Sequence, residues 1–282
     1  MLVVTIRGDD IMKTVLCFFI SVSVIFSFQG IPLASINDGL ALSLSFTGDA
    51  NDSSGNEHHG LVTGAVLTDD RFGSHNSAYL FDGTDYITIL DSNELHFTDS
   101  FTVSVWFQPS ELSLVDCVLS HVQGSMSGYQ LSNNIVEGKF RWDYFHGASA
   151  TWEDARNSVP IDLIDDGSWH HVVGVYQKDN SSVFLKLYVD GNKVDESIFS
   201  EEISWGDGDL FIGTNLHGIG SDYRGFIGKI DDIKIFSRSL SESEIQELYL
   251  EDNQAYQAGR QSCIDDPNSC GIKPKVVVVP LL

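Results

Sequence analysis

Residues 226–249, FIGKIDDIKIFSRSLSESEIQELY, alternate as a strand does, and the alternation sets Asp231 in line with Ile233 and Ile235. Side chains in a strand change face at every residue, so if both isoleucines face a core the carboxylate turns inward with them. A buried carboxylate has to be ion-paired, hydrogen-bonded or bound to a metal. Lys229 shares the parity of Asp231 and Lys234 does not, so lysine partners are few and a hard cation with oxygen ligands is the economical alternative. A second source of oxygens lies in TGDANDSSGNEHHG, residues 47–60: Asp49, Asn51, Asp52, Ser53 and Asn56, with Gly48 and Gly55 freeing the backbone to turn carbonyls toward an ion. Calcium accepts that mixture. No EF-hand is present, and taken alone the segment reads more simply as an Asx-rich turn.

The segment KFRWDYFHGASATWEDA, residues 139–155, raises a different chemistry. Trp142, Tyr144, Phe145 and Trp152 fall in what reads as an irregular polar stretch, where large rings have less reason to be buried. Ring faces beside Asp and Arg groups can hold a sugar, so Trp142, Tyr144 and Trp152 are the candidate ligand-binding residues; the competing reading is that they anchor a loop to the core. Trp106 and Trp169 belong to strong strand patterns, where core packing is expected. His58-His59 and His170-His171 are adjacent pairs whose members point in opposite directions when extended, so they are read as structural or surface histidines and not as a zinc site.

Catalytic patterns are not found. A glycosidase needs two carboxylates flanking the scissile bond, and neither VDESIFSEE (194–202) nor IDDIKIF (230–236) spaces acids in that way. There is no G-x-S-x-G elbow, H-E-x-x-H, phosphate loop or dinucleotide fingerprint. The chain reads as a non-enzyme.

The elements that must position these residues are strands. LALSLSF (40–46), SAYLF (77–81), YITIL (86–90), FTVSVWFQ (101–108), HHVVGVY (170–176), VFLKLYVD (183–190) and LFIGT (210–214) carry β-branched and aromatic residues, and DGTD (82–85), DGN (190–192) and GDGD (206–209) are hairpin signals. The expectation is an all-β sandwich. One helix is well specified: Ser241 caps it, Glu244 completes a capping box, Leu240 and Ile245 form a hydrophobic staple, and it should run to about Leu250.

The 282 residues carry a formal charge of −24, spread over turns and strand faces. That argues against a nucleic-acid partner, which needs basic contacts, and against anionic membrane surfaces. Met12 and Lys13 precede the apolar run Val15–Phe28, which has the form of an export signal with its true start at Met12, and no later stretch could span a bilayer. Residues 1–34 are therefore assigned to upstream sequence plus signal, 38–250 to one domain, and 251–282 to a tail; the mature chain is expected to be secreted, periplasmic or on the cell surface. Cys263 and Cys270 could close a short disulfide loop in that compartment, and Cys117, among Leu114, Val115, Val118 and Leu119, reads as a buried free thiol.

Taken together, LSFTGDANDSSGNEHHG, Arg71-Phe72-Gly73, Phe81-Asp82-Gly83, FTVSVWFQP, GSWHHVVGVY, LKLYVDGNKV and Gly228-x-x-Asp231-Asp232 with the capped helix resemble, in order, the laminin-G-like domains of the concanavalin A-like lectin/glucanase superfamily, in the bacterial and extracellular form related to pentraxins. The likeness reaches nearly all of 38–250 and is weakest over 110–166. It implies a jelly-roll of two packed antiparallel sheets with one short helix. It also implies a structural calcium held by Asp52 and Asp231 with backbone oxygens around Gly48 and Gly55. The function it implies is non-catalytic binding of a glycan or an extracellular protein; the alternatives are a structural or adhesive role in a surface protein and, behind it, a polysaccharide-active enzyme with an unfamiliar acid pair.

Overall fold

The computed structural model of the chain describes residues 35–111, 116–123, 127–134, 136–147, 156–215 and 224–251. The expected export signal, Trp152 and the Cys263–Cys270 loop lie outside the described residues. In chain order the strands are β1 (Leu40–Leu44), β2 (Gly60–Thr63), β3 (Val66–Thr68), β4 (Ala78–Asp82), β5 (Tyr86–Ile89), β6 (Phe101–Glu111), β7 (Asp116–Gln123) and β8 (Ser127–Asn134). They continue as β9 (Lys139–His146), β10 (Arg156–Pro160), β11 (His170–Asp179), β12 (Ser182–Val189), β13 (Asn192–Phe199), β14 (Leu210–Ile212), β15 (Arg224–Gly225) and β16 (Ile227–Phe236), followed by the helix α1 (Glu242–Glu251).

Two sheets form the sandwich. Sheet A runs β13-β12-β11-β6-β16-β4-β3, with β1 also paired to β16; sheet B runs β10-β9-β8-β7-β14-β5-β2. Among the described residues every pairing is antiparallel except that of the two-residue β15, which lies parallel on β7. The period-2 pattern explains the layering. Phe101, Val103, Val105 and Phe107 of β6 face Leu119 of β7, Tyr129 and Leu131 of β8, and Phe140, Trp142 and Tyr144 of β9 across one buried core. Full burial of a large apolar side chain stabilises by about 1.5–3 kcal/mol, so these interleaved faces dominate over any single hairpin.

Of the three expected hairpin signals one closes a hairpin and two do not. Asp190 and Gly191 both take positive φ (48° and 75°) between β12 and β13, as a two-residue hairpin turn requires. DGTD closes no hairpin: Asp82, Gly83 and Thr84 carry the chain from β4 in sheet A to β5 in sheet B, the Thr84 N–H and hydroxyl both donating to Asp82 Oδ1. GDGD closes none either: it leads from β13 in sheet A to β14 in sheet B, so its glycines also serve a crossing between layers.

Helix α1 starts as its sequence predicts. The Ser241 N–H donates to Glu244 Oε2 (2.8 Å) and the Glu244 N–H returns a bond to Ser241 Oγ (3.3 Å), satisfying two end groups of the helix. Leu240 and Ile245 both join a second apolar cluster with Leu248, Phe236, Val173, Val175 and Tyr188. The helix therefore covers the outer face of sheet A.

Candidate functional site

The strand that holds Asp231 is interrupted by a bulge at that residue. Asp231 lies opposite Trp106 and Lys234 opposite Ser104, three steps on β16 against two on β6. The extra residue is absorbed at Asp232, whose φ is +42°, a left-handed conformation that aspartate tolerates better than most residues. The consequence corrects the sequence-based expectation. Ile230, Ile233 and Ile235 all reach the inner core, and Asp231 instead shares the outer face of sheet A with Trp106. It is buried all the same, at 2 % exposure, and its partner is neither lysine. Arg71, 160 residues earlier, places Nη1 2.6 Å from Asp231 Oδ2 and Nη2 2.6 Å from Asp232 Oδ2. Here β16 exchanges one neighbour for another: residues 227–230 pair with β4 and 233–236 with β1. The guanidinium fills the seam and lies over the rings of Phe72 and Trp106 at 4.4 and 4.6 Å. Trp106 in turn stacks on His171 and on Tyr249 of α1, and His171 Nε2 meets Ser104 Oγ at 2.8 Å. Burial and the adjacent Asp232 carboxylate push the Asp231 carboxyl up, against the downward pull of Arg71.

Asp52 occupies a different network. Its oxygens accept the N–H groups of Ser43, Ser54 and His58 and the Ser54 hydroxyl, and its own N–H donates to His59 Nδ1. Burial raises this carboxyl, but the hydrogen bonds from Ser54, Ser43 and His58 outweigh it and hold it below the usual range. Gly48 and Gly55 adopt φ of +87° and +95° in the same loop. This donor set does not fit a calcium ion shared by Asp52 and Asp231. The oxygens of Asp52 are engaged by four donors, and beside Asp231 the positive charge is already supplied by Arg71. Of the paired histidines, His170 bridges Asp166 and Asp190 at 3.0 Å each and His171 projects to the opposite face, while His58 meets Glu94 at 3.2 Å and the exposed His59 accepts the Asp52 N–H.

Trp142 and Tyr144 are core residues. The expected irregular stretch is in fact β9, and its inward row Phe140, Trp142, Tyr144 is buried to 2 % exposure or less. Trp142 Nε1 donates to the Val175 carbonyl of the facing sheet (3.3 Å) and Tyr144 Oη to the Glu201 carbonyl (2.7 Å). Neither ring offers a face to a ligand. The chemistry of β9 lies on its other side. Along the outer face of sheet B one register row reads Arg156, Asp143, Gln130, Ser120, Phe211, Thr88. Asn215 Nδ2 donates to Gln130 Oε1 (3.1 Å) and Gln130 Nε2 to Asp143 Oδ2 (3.1 Å), with Arg156 Nε 3.6 Å from Asp143 Oδ1. Arg141 joins from the adjacent row, paired with Glu137. Burial pushes the Asp143 carboxyl up, opposed by Arg156, Gln130 and Arg141. Cys117 lies on this face too, a buried free thiol as its neighbours suggested, with its Sγ 3.8 Å from Gln130 Oε1.

A second cluster, unread in the sequence, joins Asp91, His96 and His121 at one end of the sandwich; one ligand atom from each lies within 4.8 Å of the others. Only the fold brings β7 beside the loop after β5, so no local spacing could have signalled it.

The family and structural comparisons agree with this architecture. A Laminin_G_3 model, described as concanavalin A-like lectin/glucanases superfamily, matches residues 81–246. No curated protein matches the chain. Among solved structures, the binding domain of botulinum neurotoxin DC in complex with SialylT is similar at a TM-score of 0.60 and 15% identity, covering 78% of this chain and 53% of that one. The binding domain of Paraclostridial Mosquitocidal Protein 1 is similar at 0.58 and 19%, covering 77% and 53%. The binding domain of botulinum neurotoxin DC in complex with rat synaptotagmin II is similar at 0.58 and 15%, covering 78% and 53%. The chain thus spans about half the length of the structures it resembles.

Proposed function

Because the chain belongs to the Laminin_G_3 family of the concanavalin A-like lectin/glucanases superfamily, we propose that it is an exported, non-catalytic binding module whose ligand, a glycan or an extracellular protein, meets the outer face of sheet B. The carrying observation is the row Ser120, Gln130, Asp143 and Arg156, open to solvent only at its Arg156 end because Ser120, Gln130 and Asp143 are at most 2 % exposed. Buried polar groups are ordinarily paired, yet among the described residues Ser120 Oγ and Arg141 Nε have no hydrogen-bond partner, and Asp143 Oδ1 and Arg156 Nε have only each other, at 3.6 Å, beyond hydrogen-bond distance. A hydroxyl both donates and accepts, so a polyol can bridge a carboxylate and a guanidinium held 3.6 Å apart. An apolar partner would strand the same groups at a cost of about 1–3 kcal/mol each. This favours a glycan over a protein surface. Arg156 and the exposed Glu137 mark the rim by which a ligand reaches the row. The botulinum neurotoxin DC binding domain, solved both with SialylT and with rat synaptotagmin II, supports a binding role for the fold. For export, the support is the apolar run Val15–Phe28 after Lys13; no described helix is long and apolar enough to cross a membrane.

The test is a glycan array of the purified protein beside Arg156→Ala and Asp143→Asn, with the array supernatants assayed for new reducing ends. Binding to a defined glycan class is expected, weakened roughly tenfold or more in Arg156→Ala, with no reducing ends released. A blank array overturns the glycan reading and moves the search to protein partners; released reducing ends overturn the non-catalytic one.

A further inference from the structure

We propose that Asp91, His96 and His121 form a binding site for a divalent transition metal of the zinc class, separate from the polar row on sheet B. The argument begins with His121. Its Nε2 lies 2.9 Å from the Gly208 carbonyl oxygen. A carbonyl only accepts, so Nε2 carries the proton and Nδ1 keeps its lone pair. That Nδ1 is buried with no hydrogen-bond partner among the described residues, on a residue only 1 % exposed. A histidine that donates one ring N–H to a backbone carbonyl and presents the other nitrogen bare is arranged as metal-binding histidines are: the carbonyl fixes the tautomer and the ring orientation.

The remaining donors are positioned independently. Asp91 follows β5, and its N–H is tied to Asp209 Oδ1 at 2.9 Å. His96 ends the short turn Asn93–Leu95, its ring stacked on Trp205 at 5.0 Å and 15°. His96 Nε2 and Asp91 Oδ1 are 2.9 Å apart, close to the separation of two ligands on one tetrahedral ion, and the His96 and His121 rings are 5.4 Å apart. The Trp205, Tyr129 and His96 rings wall His121, while Asp91, one-third exposed, leaves a way in from solvent. Two imidazoles and one carboxylate are borderline donors that favour zinc, nickel, cobalt or copper over calcium and magnesium, which prefer all-oxygen shells. Three protein ligands leave a fourth position for water. A bound ion would pin the loop after β5 to β7 and to the Gly208 segment, all at one end of the sandwich.

The full chain, stripped of metal and dialysed, is titrated with zinc alone by calorimetry, and cobalt serves as a spectroscopic reporter. Asp91→Asn, at a side chain one-third exposed, and His96→Gln are carried alongside, and their melting temperatures in metal-free buffer verify folding. The expected result is one zinc per chain, binding at least about tenfold weaker in each variant, and visible ligand-field bands for cobalt that change in both. Absence of binding, or equal affinity in wild type and both variants, overturns the proposal. The second outcome would assign the ion to non-specific attraction by a chain of charge −24.

Discussion

The indole of Trp142 in sheet B lies directly against the backbone of Gly174 in sheet A: a methyl group on Gly174 would sit 2.4 Å from Trp142 Cδ2. Glycine is required there by close approach, not by its backbone angles. A rigid buried ring cannot retreat, so Gly174→Ala should cost about 1–3 kcal/mol by overpacking, read as a lower urea midpoint with an unchanged slope.

Arg71, whose side chain is only 6 % exposed, is expected to be a sensitive residue of the domain. Arg71→Met leaves the carboxylates of Asp231 and Asp232 without their cation in a buried seam, and breaking such a pair costs about 3–5 kcal/mol. Replacing the acids as well, in Arg71→Met/Asp231→Leu/Asp232→Asn, should recover much of that loss. Chemical denaturation of the single and triple variants measures the difference, and no recovery would mean that Arg71 acts through its stacking on Trp106.

His171 should make the domain acid-sensitive. Burial, with Lys234 and Arg71 nearby, pushes its ring down to about 3, whereas in the unfolded chain a histidine takes its proton near 6.5. The folded value is depressed, so the stability at stake is present above the unfolded value and is lost as pH falls from about 6.5 toward 3, by up to about 1.4 kcal/mol per pH unit. His170, held between Asp190 and Asp166, is shifted the other way: burial lowers it, but the two acids outweigh that and raise it, so its contribution is present below about 6.5 and fades as pH rises through its folded value. His171→Gln should therefore flatten the pH dependence below 6.5 relative to wild type. Parallel slopes would refute the assignment.

Calcium added to metal-free protein should leave the melting temperature unchanged, and Asp52→Ala should cost about 2 kcal/mol or more with or without calcium, because three backbone N–H groups lose a charged acceptor. A penalty that grows with calcium would restore the ion to the Asp52 loop.

Local chemistry carried most of the fold into view. The capping box at Ser241 and Glu244, the Asp190-Gly191 turn and the strong strands each announce themselves within a few residues. β9 was also readable, since Phe140, Trp142 and Tyr144 keep a strict alternation; charged residues on its outer face, Arg141 and Asp143, disguised it as loop. The bulge was not readable. Parity assumes an unbroken strand, and one inserted residue at Asp232 reverses every inference across it. The partners of Asp231 and His121, Arg71 and the Gly208 carbonyl, are 160 and 87 residues away, and no spacing rule reaches that far.

The pairing of β1 with β16 also governs how the domain would bear a pulling force. Leu40 at the start of β1 is matched to Phe236 at the end of β16, so the chain enters and leaves at the same end of that antiparallel pair. Tension applied through the flanking segments would first strip α1 from Val173, Val175 and Tyr188. It would then open the β1–β16 ladder like a zipper, one hydrogen bond at a time, instead of loading all of them in shear. A domain strung in this way yields at low force from its edge while its central strands remain closed.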